Sequence, residues 1–378
     1  MGFPHHGTTL IELPHPTSPE RAAPRRRVAH SIVTRVAAIA LTGVALYVVL
    51  PSLTRVVGAW PELSHLSPLW LIAALLAELT SFACAFVLQR MLLRTKKWFA
   101  VVAAGLAGNA VSNVLPAGDA AGATVQFRML TTVGINTDNA AGGMTAASLL
   151  GVGGLLALPI FTLPAMVGGS PVSPGLVHTA LVGLVAFALF VVGGIVVMAT
   201  DQPLALAGRV AQRVWNGIPG HRAKISGLDQ RILRQRNDIR STLGQEWPRA
   251  VVLTAGRIGF DYFCLLGCLW ATGTSARPSL VLLAYAATGI IALVPITPGG
   301  LGVVEASLSG LLVLAGVSAG DAFVATLAYR LASYWLPLVA GSIAYILFRH
   351  RYRPIEATSG AARAKTVSTD LNGAADSR

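Results

Sequence analysis

Charge is what this sequence has least of. Only 12% of its 378 residues are charged against 54% hydrophobic, and the charged ones divide into 16 acidic and 29 basic. A soluble chain would carry about twice that charged fraction, so two or three water-exposed domains are excluded and the chain needs lipid around it. Cysteine is nearly absent: Cys84, Cys264 and Cys268 all lie in apolar segments, and the eight histidines are scattered. That leaves no disulfide framework and no metal-ligand set. Cys264 and Cys268, four apart on one helix face, read as small-residue packing. Also missing is any Ser-His-Asp, paired-carboxylate or His/Cys constellation at usable spacing, so neither an enzyme nor a cofactor is expected. Leu50-Pro51 leads into Thr54-Arg55 with no small-residue cleavage site, so the first span is expected to be retained and not removed as a signal peptide.

What is abundant is long apolar sequence. Val36 to Val49, Leu69 to Leu88, Ala140 to Leu158, Leu176 to Ala199 and Leu280 to Val294 are the main blocks, each approaching the roughly 20 residues that carry a helix across about 30 Å of hydrocarbon. The net charge of +13 could suggest nucleic acid. The Lys and Arg, however, border the apolar blocks, which is the signature of topology and anionic-lipid contact; no nucleic-acid partner is expected.

Those basic residues fall in four clusters: Arg21 to Arg35, Arg90 to Lys97, the loop from Asp201 to Trp247, and Arg349 to Arg353. Positive loops stay in the cytoplasm, so the clusters share one side, both termini are cytoplasmic, and each stretch between clusters crosses an even number of times. The expected location is the inner (plasma) membrane. Residues 1–31 read as a disordered basic tail, 32–349 as the transmembrane domain with a basic cytoplasmic loop at 201–247, and 350–378 as a disordered tail. Within the loop, Ile225, Leu228, Ile232, Ile239 and Leu243 recur at helical spacing; they read either as an amphipathic helix on the inner leaflet or as a solvated basic loop.

Two apolar stretches are interrupted. Phe99 to Leu115 is followed by a break at Pro116 and an arm from Gly122 to Val133; Leu280 to Val294 is followed by a break at Pro298-Gly299-Gly300 and an arm to Val317. Each reads as a helical hairpin, re-entrant or fully spanning. A shift of 182 positions lays Pro116, Gly118, Gly134 and Ala140 on Pro298, Gly300, Gly316 and Ala322. Combined with the parity of the basic clusters, the first hairpin opens inward and the second outward, as an inverted-topology repeat requires. The expected fold is all-α: a polytopic membrane helix bundle with two broken-helix hairpins.

Ionisable groups inside lipid cost several kcal/mol unless paired or hydrated, roughly, which singles out Glu78, Asp119, Arg128, Arg257, Asp261, Glu305 and Arg330. Arg257 and Asp261, four apart, can form an intrahelical pair. Pro298, Gly299, Gly300 and Gly302 must stop and restart a helix whose free N–H groups favour anions. Glu305, one turn in, can neutralise that dipole, pair with Arg330 or Arg257, contact a cationic headgroup, or serve as a structural cap. Asn109, Asn113, Asp119 and Arg128 give the first hairpin a polar face, lining a cavity or holding helices together.

The runs Asn113-Val-Leu-Pro116-Ala-Gly118, Pro295-Ile-Thr-Pro298-Gly-Gly-Leu-Gly302-Val-Val-Glu305, Ala328-Tyr329-Arg330 and Tyr334-Trp335-Leu-Pro337 resemble the transmembrane region of lysylphosphatidylglycerol synthases and their flippase-like relatives, over roughly Val33 to Arg349. The resemblance implies movement of a charged lipid, with anionic or zwitterionic headgroup, between leaflets. It implies no synthase activity, because the aminoacyl-transferase domain of bifunctional members has no counterpart here. The other reading is a scaffold that docks a separate lipid- or glycan-modifying membrane enzyme through the basic loop. Alanine at Glu305 or Arg330 is expected to stop transport with stability nearly unchanged.

Overall fold

The computed structural model describes residues 66–115, 118–167, 174–217, 227–294 and 297–352. The two tails, the first span at 36–49, Pro116 and Pro295 lie outside these residues. Helix is the only regular structure among those described: α1 (Pro68–Leu92), α2 (Trp98–Val114), α3 (Gly118–Thr132), α4 (Thr137–Val167), α5 (Pro174–Ala199), α6 (Gln202–Gly217), α7 (Leu228–Ala271), α8 (Pro278–Ala292), α9 (Val303–Leu314), α10 (Ala319–Arg330) and α11 (Leu336–Arg351).

Four segments are long and apolar enough to cross a membrane: Pro68–Leu92, Thr137–Phe161, Glu246–Ala271 and Ala319–Arg351. Their surfaces are inside out relative to a soluble protein. On α1, Leu69, Ile72, Leu76 and Leu79 are exposed while Glu78 and Ser81 are buried, because lipid rewards the apolar face and the interior must satisfy the polar one.

α1 and α7 run antiparallel over the whole span. The Ser67 N–H bonds the Ala271 carbonyl at 3.1 Å at one end, and Leu88 and Leu92 pack with Ala250 at the other. In between, a Cβ on Gly267 would meet Ala74, one on Gly256 would meet Cys84, and the Ser81 hydroxyl donates to the Arg257 carbonyl at 2.8 Å. Small residues let the two backbones approach closely where no hydrophobic force drives helices together. The crossing is centred near Leu79 and Asp261, which are equivalents under the 182-residue shift.

The same shift carries α1, α2, α3 and α4 onto the membrane part of α7, then α8, α9 and α10–α11. Packing between the halves is reciprocal: α2 lies on α11, where a Cβ on Gly341 would strike the Leu106 carbonyl, and α8 lies on α4, where one on Gly289 would strike Leu155. Equivalent helices that run antiparallel make this an inverted repeat.

The hairpin arms are short. At 1.5 Å per residue, helices of 12 to 17 residues reach about 18–25 Å, less than the roughly 30 Å core, which selects re-entrant over spanning arms. The α2–α3 hairpin opens where Lys97 donates to the Val133 carbonyl and the Arg351 guanidinium lies over Phe99. The α8–α9 hairpin opens at the other end, where Val281, Leu312 and Val317 pack with Leu66 and Ala271. The described basic residues at the ends of α1 and α11 therefore share one end of the bundle.

The described part of the central segment is helical. An amphipathic helix forms at α6, and the predicted stretch from Leu228 on falls in the 44-residue α7, with Ile225 outside the described residues. α6 and this early part of α7 pack together, and Arg236 joins them by an ion pair to Asp201 at 2.6 Å and a bond to the Thr200 carbonyl. Pro248, in the interior of α7, does not end the helix.

Candidate functional site

The two hairpin tips meet. Pro298–Gly300 form a 3₁₀ turn, with Gly299 and Gly302 at φ 58° and 83°, a left-handed backbone that only glycine adopts at little cost. A Cβ on Gly299 would lie 2.6 Å from the Asn113 carbonyl of the first hairpin. Pro116 and Pro298 are repeat equivalents in the sequence.

Arg330 holds this junction. Its Nε donates to Glu305 Oε1 at 2.8 Å, its Nη2 donates to the Gly299 carbonyl at 3.1 Å, and its guanidinium stacks 4.3 Å from the Tyr334 ring centre. The Tyr334 hydroxyl in turn donates to the Asn113 carbonyl at 2.9 Å. The other Glu305 oxygen accepts the Gly302 N–H, one half of a capping box, since glycine returns no side chain. Glu305 is thus both the helix cap and the partner of Arg330. A π-turn at Leu331–Trp335 sets the inward positions of Arg330 and Tyr334; Pro337, which cannot donate to the preceding turn, makes the wider turn tolerable.

Beside the junction is a cavity of about 320 Å³, lined by Asn113 and Asp119 from the first hairpin, Thr297, Gly299 and Gly300 from the second, and Asp261, Tyr285, Thr288, Tyr329 and Arg330. The Asp261 carboxylate accepts the hydroxyls of Tyr285 and Tyr329, the latter at 3.0 and 3.1 Å. The hydroxyls of Thr288 and Thr297 are buried without a protein partner. Buried polar groups normally have one, so these two leave hydrogen-bonding capacity for whatever enters.

Of the residues singled out by sequence, Asn113, Asp119, Asp261, Gly299, Gly300 and Arg330 line the cavity, and Pro298, Gly302 and Glu305 belong to the adjoining tip. Asn109 is one turn back, accepting from Asn113 Nδ2 at 3.1 Å. Arg128 is exposed on α3, outside the lining. The Arg257–Asp261 pair does not form: no ion pair joins them. Tyrosines from α8 and α10 take the Asp261 carboxylate, while Arg257 is exposed and reaches along Gly151 of α4. Tyr285, Tyr329 and Tyr334 were missed as site residues. Tyr329 and Tyr334 gave a signal only through the runs Ala328-Tyr329-Arg330 and Tyr334-Trp335-Leu-Pro337, since nothing local marks a tyrosine whose partner is 68 or 221 residues away.

A family model for the lysylphosphatidylglycerol synthase TM region matches residues 35–341. The chain is also similar to a UPF0104 membrane protein of Methanothermobacter thermautotrophicus, at 34% identity over 96 residues. That match covers 25% of this chain and 27% of the relative.

Proposed function

The chain belongs to the lysylphosphatidylglycerol synthase TM-region family, and from that premise we propose that it moves a phospholipid, or a lipid-linked intermediate with an anionic or zwitterionic headgroup, between leaflets. It is an integral membrane protein, and its own part in this is transport and not bond making. The observation that carries the reading is the polar cavity where two half-length hairpins from opposite ends meet. A headgroup cannot cross hydrocarbon without hydrated or hydrogen-bonding surroundings. At about 320 Å³ the cavity is at the small end of ligand sites, roughly 300–1,000 Å³. It suits a headgroup, with acyl chains left in lipid against the exposed apolar faces. The unmet Thr288 and Thr297 hydroxyls, Asn113 and the tip backbone supply its contacts.

The test is reconstitution of the purified chain in liposomes with labelled native phospholipids. The expected result is exchange between leaflets well above that of protein-free vesicles. If no native lipid moves, the reading fails and the scaffold for a membrane enzyme takes its place.

The basic end of the bundle is proposed to face the cytoplasm, the two termini with it, in the plasma membrane. A cysteine replacing Gly217 at the end of α6 is expected to resist an impermeant thiol reagent added to intact cells and to react after permeabilisation. Labelling in intact cells would reverse the orientation.

A further inference from the structure

One carboxyl in the bundle takes no part in the tip junction. Glu78 is 2% exposed, in the middle of α1, and its Oε2 has no hydrogen-bond partner. Its carboxyl is close enough to the Asp261 carboxyl and the Cys264 thiol for each to act on it, at the crossing where the Ser81 hydroxyl meets the Arg257 carbonyl. Asp261 opens on the cavity; Glu78 stands behind it.

Among the described residues no ion pair includes either carboxyl: the pairs are Arg236–Asp201, Arg249–Glu246 and Arg330–Glu305. The ionisable groups that face the carboxyls are Cys264 and Cys268 of α7, Tyr285 of α8 and Tyr329 of α10; Arg257, one turn before Asp261, lies beside Gly151 and acts on Tyr285, and Asp119 and Arg330 line the cavity with Asp261. Two neighbouring carboxylates in a site of low polarity disfavour each other's charged form, and one proton held by the pair is the charge balance the geometry favours. The pair also sits where α1 and α7 cross, at the centre of the inverted repeat.

We propose that Glu78 and Asp261 form a proton-binding site that exchanges its proton with water in the cavity and couples headgroup passage to the transmembrane proton gradient. Release breaks one carboxyl O–H bond, the proton passes from Asp261 to a cavity water as hydronium, and the pair becomes more negative by one charge; uptake is the reverse. Tyr285 and Tyr329 hold the Asp261 carboxylate toward the cavity in both states. The coupling, though not the proton site, rests on the lipid-transport reading above.

Two measurements on the full chain separate the parts. Infrared difference spectra of the purified protein in lipid, titrated across the neutral range, are expected to show a protonated-carboxyl C=O band that Glu78→Gln removes and Asp261→Asn shifts. Absence of the band in the unsubstituted protein, or its survival in both variants, would overturn the proton site. In proteoliposomes with the membrane potential clamped, an imposed pH difference is expected to shift the steady leaflet ratio of labelled phospholipid, by up to about tenfold per pH unit for one proton per lipid. Glu78→Gln and Asp261→Asn are expected to abolish that response. A leaflet ratio indifferent to the gradient would overturn the coupling, with the band then reporting a static structural proton. If no lipid moves at all, the coupling falls with the transport reading, and the band alone decides the proton site.

Discussion

Arg330→Met is expected to lower the stability of the purified protein by about 3–5 kcal/mol, the range for removing one partner of a buried ion pair, and to abolish lipid movement. Arg330 and Glu305 side chains are only 10% and 14% exposed, so whichever charge remains is stranded. Arg330 also supports the Gly299 carbonyl and the Tyr334 ring, hence both hairpin tips. The sequence alone suggested that alanine at either position would spare stability; the cap, the ion pair and the tip contact, all on two side chains, change that expectation. A double variant, Glu305→Leu with Arg330→Met, leaves no buried charge and is expected to regain more than half of the lost stability while staying inactive. Denaturation in detergent and liposome transport, measured on the three proteins, separate folding from function. A double variant that is stable and transports normally would remove the pair from the pathway and leave it a structural clasp.

Gly299→Val carries the second large effect. Its φ of 58° costs an L-residue roughly 1–2 kcal/mol, and a Cβ there would lie 2.6 Å from both the Asn113 carbonyl and the Tyr334 ring. Forcing atoms into a packed site adds about 1–3 kcal/mol. The contact is between backbone and a ring held on both sides, so the tips must separate. A loss of about 2–5 kcal/mol in the unfolding midpoint series is expected, together with loss of transport. Gly310→Val is the control: a Cβ there meets nothing within 4 Å, so its change is expected to stay within roughly 0.5 kcal/mol. Equal effects at the two positions would show that glycine at the tip matters only for local helix propensity.

Much of the fold was legible along the chain because lipid imposes a one-dimensional rule. A span must be long and apolar, a break needs proline and glycine, and basic residues mark one side. Those rules alone located the described spans, the interruptions at Pro116 and Pro298, and the register of 182 residues between halves. The motif Pro298-Gly-Gly-Leu-Gly302 announced a restarted helix because its positive φ values are local. Glu305 as a cap was equally local, three residues from the N–H it accepts.

What the sequence could not decide was which polar groups share a partner. Arg257 and Asp261 are four apart and looked paired, yet Asp261 is bound by Tyr285 and Tyr329, because its side of α7 faces α8 and α10 while the Arg257 guanidinium lies against Gly151 of α4. Glu78 gave no hint of Asp261, 183 positions away, and both were set together only by the antiparallel crossing of α1 and α7. Arm length favoured re-entrant hairpins, but that the two tips touch depends on inversion plus reciprocal packing of α2 on α11 and α8 on α4. The sequence determined the helices, their breaks and their shared register, since each follows from local propensity and hydropathy. The tertiary structure decided the cavity and its carboxyl pair, since in a membrane interior polar side chains take whichever partner the crossing helices bring within hydrogen-bonding distance.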